Sequence, residues 1–214
     1  MADPTSRAGE RYARPEVLAY VERVHAAHDQ ALDRAFRAHE LHDVPAIQVG
    51  ASEGKTLEIL LRLAQARKVV EIGTLAGYSA LWMARALPAD GRLWTLEVDP
   101  KHAEIAKQNL AAEARVEVVL GDALESLAAL ENEGPFCAVF VDADKERYDQ
   151  YGRWALRNLR KGGLLVGDNA YLFGSLTEDS DRARAMRAFH EEARDAFDSV
   201  CVPTPDGLVV AIKR

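Results

Sequence analysis

The sequence predicts an α/β fold: a Rossmann-like doubly wound sheet, mostly parallel, with helices on both faces, extra N-terminal helices and an antiparallel C-terminal hairpin. Three observations carry this. Between Lys68 and Asn169, short apolar runs alternate with amphipathic segments long enough for helical crossovers, which imply parallel strands. The runs are nearly continuous in apolar residues, as strands covered on both faces are. The last two runs are joined by too few residues for a crossover, so they pair antiparallel.

Taken in order, residues 15–40 place Val17, Leu18, Val21, Val24, Ala27, Leu32 and Phe36 at helical spacing between charges. They form one long or two shorter helices, and residues 1–40 are read as a helical extension to a domain spanning 41–214. "LHDVPAIQVGASEGK" breaks the pattern with Pro45, Gly50 and Gly54 and is a loop, after which Ser52 or Thr56 caps a helix through "LEILLRLAQA". Next come the strand "KVVEIG", the helix "YSALWMARALP", the strand "RLWTLEV" and the helix "KHAEIAKQNLAAEA". The strand "VEVVLG" and the helix "ALESLAALE" follow, then the strand "CAVFVDA" and the helix "YDQYGRWALRNLR". A Gly162-Gly163 break precedes a fifth strand, "GGLLVGDN". A helix over "SDRARAMRAFHEEARDAF" leads to the hairpin "DSVCVPTPDGLVVAIK".

The 214 residues, 48% apolar and 29% charged, are enough for one domain with a full core. A net charge of −7 without a basic block argues against nucleic acid as partner. No apolar run is long enough to span a bilayer. "MADPTSRAGERYARPE" has no apolar h-region, which argues against a secretory signal. Cys137 and Cys201 each fall inside a strand and read as buried free thiols. Together these point to a cytoplasmic protein that uses neither membrane nor nucleic acid.

Ligands of open parallel sheets bind beyond the carboxyl ends of the strands. The first such end reads "EIGTLAGYSA", where Gly73 and Gly77 permit a tight turn and close backbone approach. Leu75 stands where a dinucleotide fingerprint needs its middle glycine, so a nucleoside without pyrophosphate fits better. Glu97 ends the next strand, placed to accept from ribose hydroxyls. Asp122 follows the third strand, within reach of an adenine amino group. A bare turn and a solvated strand end remain the alternative for the glycines and Glu97 taken singly.

The apolar run "AVFVDADKERY" ends abruptly in charge, and "VGDNA" ends the fifth strand with Asp168 and Asn169. If these strands are neighbours, about 4.8 Å apart, then Asp142, Asp168 and Asn169 converge. Two carboxylates and an amide oxygen form a hard, all-oxygen site suited to Mg²⁺. Each acid alone is more often a helix cap; the convergence favours the metal.

On "VVEIGTLAGYSALWMA", "TLEVDP", "GDALE", "FVDADKERY" and "GGLLVGDN", the chain from about Leu41 to Arg214 resembles the class I S-adenosylmethionine-dependent O-methyltransferases. Within these it is similar to the cation-dependent catechol and caffeoyl-CoA O-methyltransferases. The resemblance implies a seven-stranded sheet, S-adenosylmethionine in the glycine loop, and Mg²⁺ or Mn²⁺ holding a small catechol-like diphenol. It places Glu71, Gly73, Gly77 and Ser79 on the methionine side of the cofactor, Glu97 at the ribose, and Asp122 and Ala123 at the adenine. Asp142, Asp168 and Asn169 would ligate the metal, Asp142 also bordering the cofactor. Lys145 would be the base, with Asp144 and Tyr148 close by. The N-terminal helices would supply substrate cover and contacts of a homodimer. An NAD-dependent dehydrogenase, which lacks its glycine here, and a non-catalytic nucleoside-binding module are the competing readings.

Overall fold

The computed structural model describes residues 14–214. The stretch read as lacking a signal core lies, up to residue 13, outside them. The N-terminal amphipathic segment is three helices: α1 (Pro15–His25), α2 (Gln30–Phe36) and α3 (Ala38–Leu41). Asp29 sets the first break, because its Oδ1 accepts from the N–H groups of Ala31 and Leu32 and so starts a new helix. Helix α1 buries none of its residues, whereas α2 sends Leu32 and Ala35 into the main core.

Helix α4 (Ala51–Leu63) begins inside the segment expected as loop. Neither Ser52 nor Thr56 caps it. Glu53 reaches back to accept the Gly50 N–H at 2.9 Å, leaving Ser52 in the first turn. Then follow β1 (Lys68–Ile72), α5 (Tyr78–Ala84), β2 (Arg92–Glu97), α6 (Pro100–Asn109), β3 (Val116–Leu120) and α7 (Ala123–Leu130). The chain continues with β4 (Phe136–Val141), α8 (Tyr148–Asn158), β5 (Leu159–Gly167), α9 (Asp181–Ala196), β6 (Phe197–Val202) and β7 (Leu208–Lys213).

The seven strands form one sheet in the order β3-β2-β1-β4-β5-β7-β6. The first five are parallel, and β7 runs antiparallel to both β5 and β6. Alternate residues of the central strands face opposite sides. Val69, Ala138 and Phe140 pack under α4, α5 and α6, while Val70, Val139 and Val141 pack under α7, α8 and α9. The glycine pair does not precede the fifth strand but lies within it. While β5 runs from Leu159 to Leu164, β4 advances only from Phe136 to Ala138, so Gly162 and Gly163 occupy a bulge. Both cysteines are free and only half-buried, because each sits near a strand end or the sheet edge. Among the described residues no helix is long and apolar enough to cross a membrane.

The turn between β6 and β7 is tied to the loop after β5: the N–H groups of Ala170 and Tyr171 donate to the carbonyls of Gly207 and Asp206, each at 2.9 Å.

Helix α4 lies against α5 at Gly54, where an added Cβ would stand 2.2 Å from Cδ1 of the buried Trp82. Alanine in place of a helical glycine gains up to about 1 kcal/mol of helix propensity, while overpacking a tight contact costs about 1–3 kcal/mol. The steric effect wins, so Gly54→Ala should lower stability by about 1–2 kcal/mol, read as a lower urea midpoint at unchanged slope. A variant as stable as the parent would show that the contact is soft.

Candidate active site

Strand order reverses between β1 and β4, and a cleft of about 850 Å³ opens there at the carboxyl ends. Its walls come from the loops after β1, β2, β3, β4 and β5 and from residues 46–49 before α4. The parallel strands thus deliver every sequence-predicted site residue to one end of the sheet.

The loop after β1 begins at Gly73, whose φ of +96° suits glycine. An added Cβ would lie 2.0 Å from the Asp142 carbonyl oxygen. The close approach expected there is therefore to the neighbouring strand end, and it seats the loop after β1 against the loop after β4. Gly77, at φ +82°, is the N-cap of α5, and Leu75 is held at φ +51°, a conformation costly for leucine. What holds Leu75 there is Glu97: its Oε2 accepts from the N–H groups of Leu75 at 2.8 Å and Thr74 at 3.2 Å, while Oε1 accepts from Asp99 N–H at 2.9 Å. Glu97 lines the cleft, and it also shapes the loop beside it.

Glu71 is wholly buried beneath the cleft floor and is absent from its walls. It reaches the cleft through Ser79, whose hydroxyl donates to it, and it accepts from Thr95 Oγ1 at 2.6 Å. Burial pushes the Glu71 carboxyl up to about 8, against the two hydroxyl donors and with a smaller push from the charges of Asp142 and Glu97. Asp122 is placed differently from the expectation. Its Oδ1 caps α7, accepting from the N–H of Leu124 at 2.9 Å, and its Oδ2 pairs with Arg147 Nη1 at 2.6 Å. Gly121 and Ala123 line the cleft beside it.

Strands β4 and β5 are neighbours, with Val141 opposite Gly167, so Asp142 and Asp168 leave the sheet side by side. Asp142 and Asn169 border the cleft, and Asp168 lies just behind, 3% exposed. Asn169 takes φ +52°, which asparagine tolerates better than most residues. Asp168 Oδ1 is buried without a hydrogen-bond partner, an arrangement that costs free energy unless something else is meant to meet it. Burial, then the Asp142 charge, then Glu53 push the Asp168 carboxyl up. A hard cation would satisfy the orphaned oxygen and relieve the repulsion, so the three side chains fit a divalent metal. No group of three His, Cys, Asp or Glu gathers among the described residues; the convergent set is two acids and an amide.

Lys145 begins a short 3₁₀ turn after β4. Its Nζ donates to Asp142 Oδ1 at 3.1 Å and to Tyr148 Oη at 2.9 Å, with only 13% of the side chain exposed. Tyr148 is fully buried, its hydroxyl 2.9 Å from the Val141 carbonyl and 2.8 Å from that of Asp168. Lys145 is therefore aimed into the cleft beside the acids rather than splayed on the surface. Asp144, by contrast, turns to Arg147 and Tyr151.

Sequence reasoning gave no role to Arg147, Val98, Ile47 or Phe173, all on the cleft wall. The last three are exposed apolar side chains, 67%, 69% and 65% accessible. In the sequence Val98 reads as the last residue of the strand "RLWTLEV", whereas β2 ends at Glu97, so nothing marks it as cleft wall; Phe173 falls in a polar loop with no periodicity to mark it.

The chain matches the family model described as O-methyltransferase over residues 23–214. A catechol O-methyltransferase of Mycobacterium tuberculosis is 44% identical over 177 residues, covering 81% of this chain and 80% of that protein. One from Niastella koreensis is 42% identical over 201 residues, covering 87% and 91%. An O-methyltransferase from Bacillus cereus, solved in complex with SAH, superposes with a TM-score of 0.87 at 36% identity over 93% of this chain and 97% of that one. TomG from Streptomyces achromogenes, solved with SAM, superposes with the same TM-score at 37% identity, covering 95% and 98%.

A buried acid whose folded-state pKa lies above its unfolded value binds its proton more tightly when folded. Stability is then fully present below the unfolded pKa and is lost as pH rises through the folded one. For Glu71 the window runs from about 4.5 to about 8. The melting temperature of the metal-free protein should therefore fall across that range. Glu71→Gln, which keeps a buried amide for Ser79 and Thr95, should flatten the fall by more than one pKa unit's worth, about 1.4 kcal/mol. A parent whose stability rises steadily from pH 5 to 8 would contradict this.

Proposed function

The chain belongs to the O-methyltransferase family and is an S-adenosylmethionine-dependent enzyme of it, and on that premise we propose that it methylates one hydroxyl of a small catechol-like diphenol with the help of Mg²⁺ or Mn²⁺. Family membership sets aside the dehydrogenase and the non-catalytic module. The observation that carries the metal and diol reading is the orphaned Asp168 Oδ1 beside Asp142, with Lys145 Nζ held against Asp142 Oδ1. The relatives named catechol O-methyltransferases support the substrate class.

S-adenosylmethionine supplies the methyl electrophile. A bound divalent ion supplies Lewis acidity and a fixed point for two neighbouring oxygens. The remaining work falls to the chain's own side chains. Asp142, Asp168 and Asn169 would hold the ion, at the end of the cleft away from Glu97. Lys145 takes the phenolic proton at Nζ, which is held beside the acids and borders the cleft. Tyr148 Oη keeps that Nζ in place. Glu97 receives the ribose hydroxyls, and the loop from Gly73 to Gly77 receives the methionine end. The exposed face of α1, with Val17, Tyr20 and Val24 half-accessible on successive turns, supports a homodimer.

Methyl transfer from labelled S-adenosylmethionine to a panel of catechols tests the reading. Excess EDTA should abolish transfer, and Mg²⁺ or Mn²⁺ should restore it. Full activity in EDTA would remove the metal, and labelling of monophenols as fast as catechols would remove the diol.

Lys145→Met should cut kcat roughly 10²–10⁴-fold, the usual contribution of a general base, with calorimetric affinity for S-adenosylmethionine little changed. A surface ion pair would be worth only about 0–1 kcal/mol. A kcat within about threefold of the parent between pH 6 and 9 falls far short of a base and would leave deprotonation to the metal alone.

A further inference from the structure

Arg147 borders the cleft between the ends of β3 and β4, on the same wall as Gly121 and Ala123. Its guanidinium is tied on two sides. Nη1 donates to Asp122 Oδ2 at 2.6 Å; Nε and Nη2 donate to Asp144 Oδ2 at 2.8 Å and Oδ1 at 3.2 Å. Both carboxylates are themselves anchored, Asp122 as the cap of α7 and Asp144 by the Tyr151 hydroxyl at 2.5 Å. These hydrogen bonds lie in the guanidinium plane, so they commit its edges and leave its faces. One face lies over the Tyr151 ring, 5.9 Å from the centroid. About a third of the side chain, 31%, is still exposed, and Arg147 is part of the cleft lining.

A planar cation with its edges committed to carboxylates offers a ligand a flat surface and little hydrogen bonding. The partner suited to it is an electron-rich aromatic plane. The nucleoside end of the cleft, bounded by Glu97, Gly121 and Ala123, is where such a plane would enter. We infer that the free face of Arg147 is the platform on which the adenine ring of S-adenosylmethionine stacks. Asp122 and Asp144 then serve as the clamps that pre-set the platform, so its ordering entropy is already spent before the cofactor arrives. This rests on the cofactor alone and not on the metal or the diol.

Calorimetric titration of the parent and two variants tests it, with S-adenosylmethionine and with 5′-methylthioadenosine, which keeps the nucleoside and lacks the amino-acid end. Arg147→Met should weaken both ligands by the same factor, about three- to thirtyfold. Arg147→Lys keeps the charge and a pairing with Asp122 but has no plane; it should weaken both ligands too, and it carries the test alone if the methionine variant does not fold. Affinity within twofold of the parent in Arg147→Met would overturn the inference. So would full affinity in Arg147→Lys, which would make charge the relevant property. So would a loss for S-adenosylmethionine absent for 5′-methylthioadenosine, which would move Arg147 to the other end of the cofactor.

Discussion

The parallel pairing of β4 with β5, carried to Val141 and Gly167, is the constraint on which the site depends. It continues one step past the strands, because Asp168 N–H donates to the Val141 carbonyl, and the β1–β4 pairing is extended likewise by Asp142 N–H donating to the Ile72 carbonyl. Two carboxylates are thereby held side by side where their charges repel. Left free, the strand ends would splay. The Tyr148 hydroxyl, lying between the carbonyls of Val141 and Asp168, pins them from beneath, and Lys145 partly neutralises the pair from above. Strand pairing, the tyrosine and the lysine thus form one unit. The acids are close because the backbone makes them so, not because they attract.

Unfavourable features gather around that unit and are rare elsewhere. Glu71 and Asp168 are buried acids with raised proton affinity. Leu75, Asn169, Leu172 and Phe173 adopt left-handed backbone conformations that non-glycine residues avoid, and the first, second and last of them border the cleft. Such strain persists only where the surroundings over-determine it. Here the surroundings are two apolar layers, one on each sheet face, containing Trp82, Phe140 and Leu61 on one side and Trp154, Phe136 and Phe189 on the other. The stability of the layers and the tension of the loops are complementary parts of one design: a stiff sheet that holds reactive groups where they would not settle unaided.

Much of this was legible in the sequence, and the parts that were not share a physical cause. The central strands announced themselves because burial on both faces demands continuous apolar runs, and the charges ending two of them marked the cleft edge. Neighbourhood of the fourth and fifth strands was a condition of the sequence reading, and only the strand pairing itself supplies it. Local competition between polar groups was harder to read. Glu53 outcompetes Ser52 for the start of α4 because a glutamate can reach back one turn, whereas Ser52 falls within it. Asp122 could serve a cap or a ligand, and only the position of Arg147, 25 residues later, decides that both its oxygens are engaged. Gly162 and Gly163 read as a break because bulges and turns use the same residues. Phe173 was silent because a lone aromatic in a polar loop has no period.

The position of β7 has a consequence for how the molecule is made. The last strand in sequence is not at the sheet edge but sits between β5 and β6. During vectorial synthesis, β6 leaves the ribosome before the only strand it pairs with. Until β7 arrives, β5 presents an open edge of unpaired backbone, flanked by the apolar residues Leu164, Leu165 and Val166. An unpaired β5 edge of this kind is a template on which other chains can pair, and β7 is what covers it. The turn at Asp206 and Gly207 that precedes β7 is hydrogen-bonded to the loop after Asn169, so the rim of the cleft depends on β7 being in place.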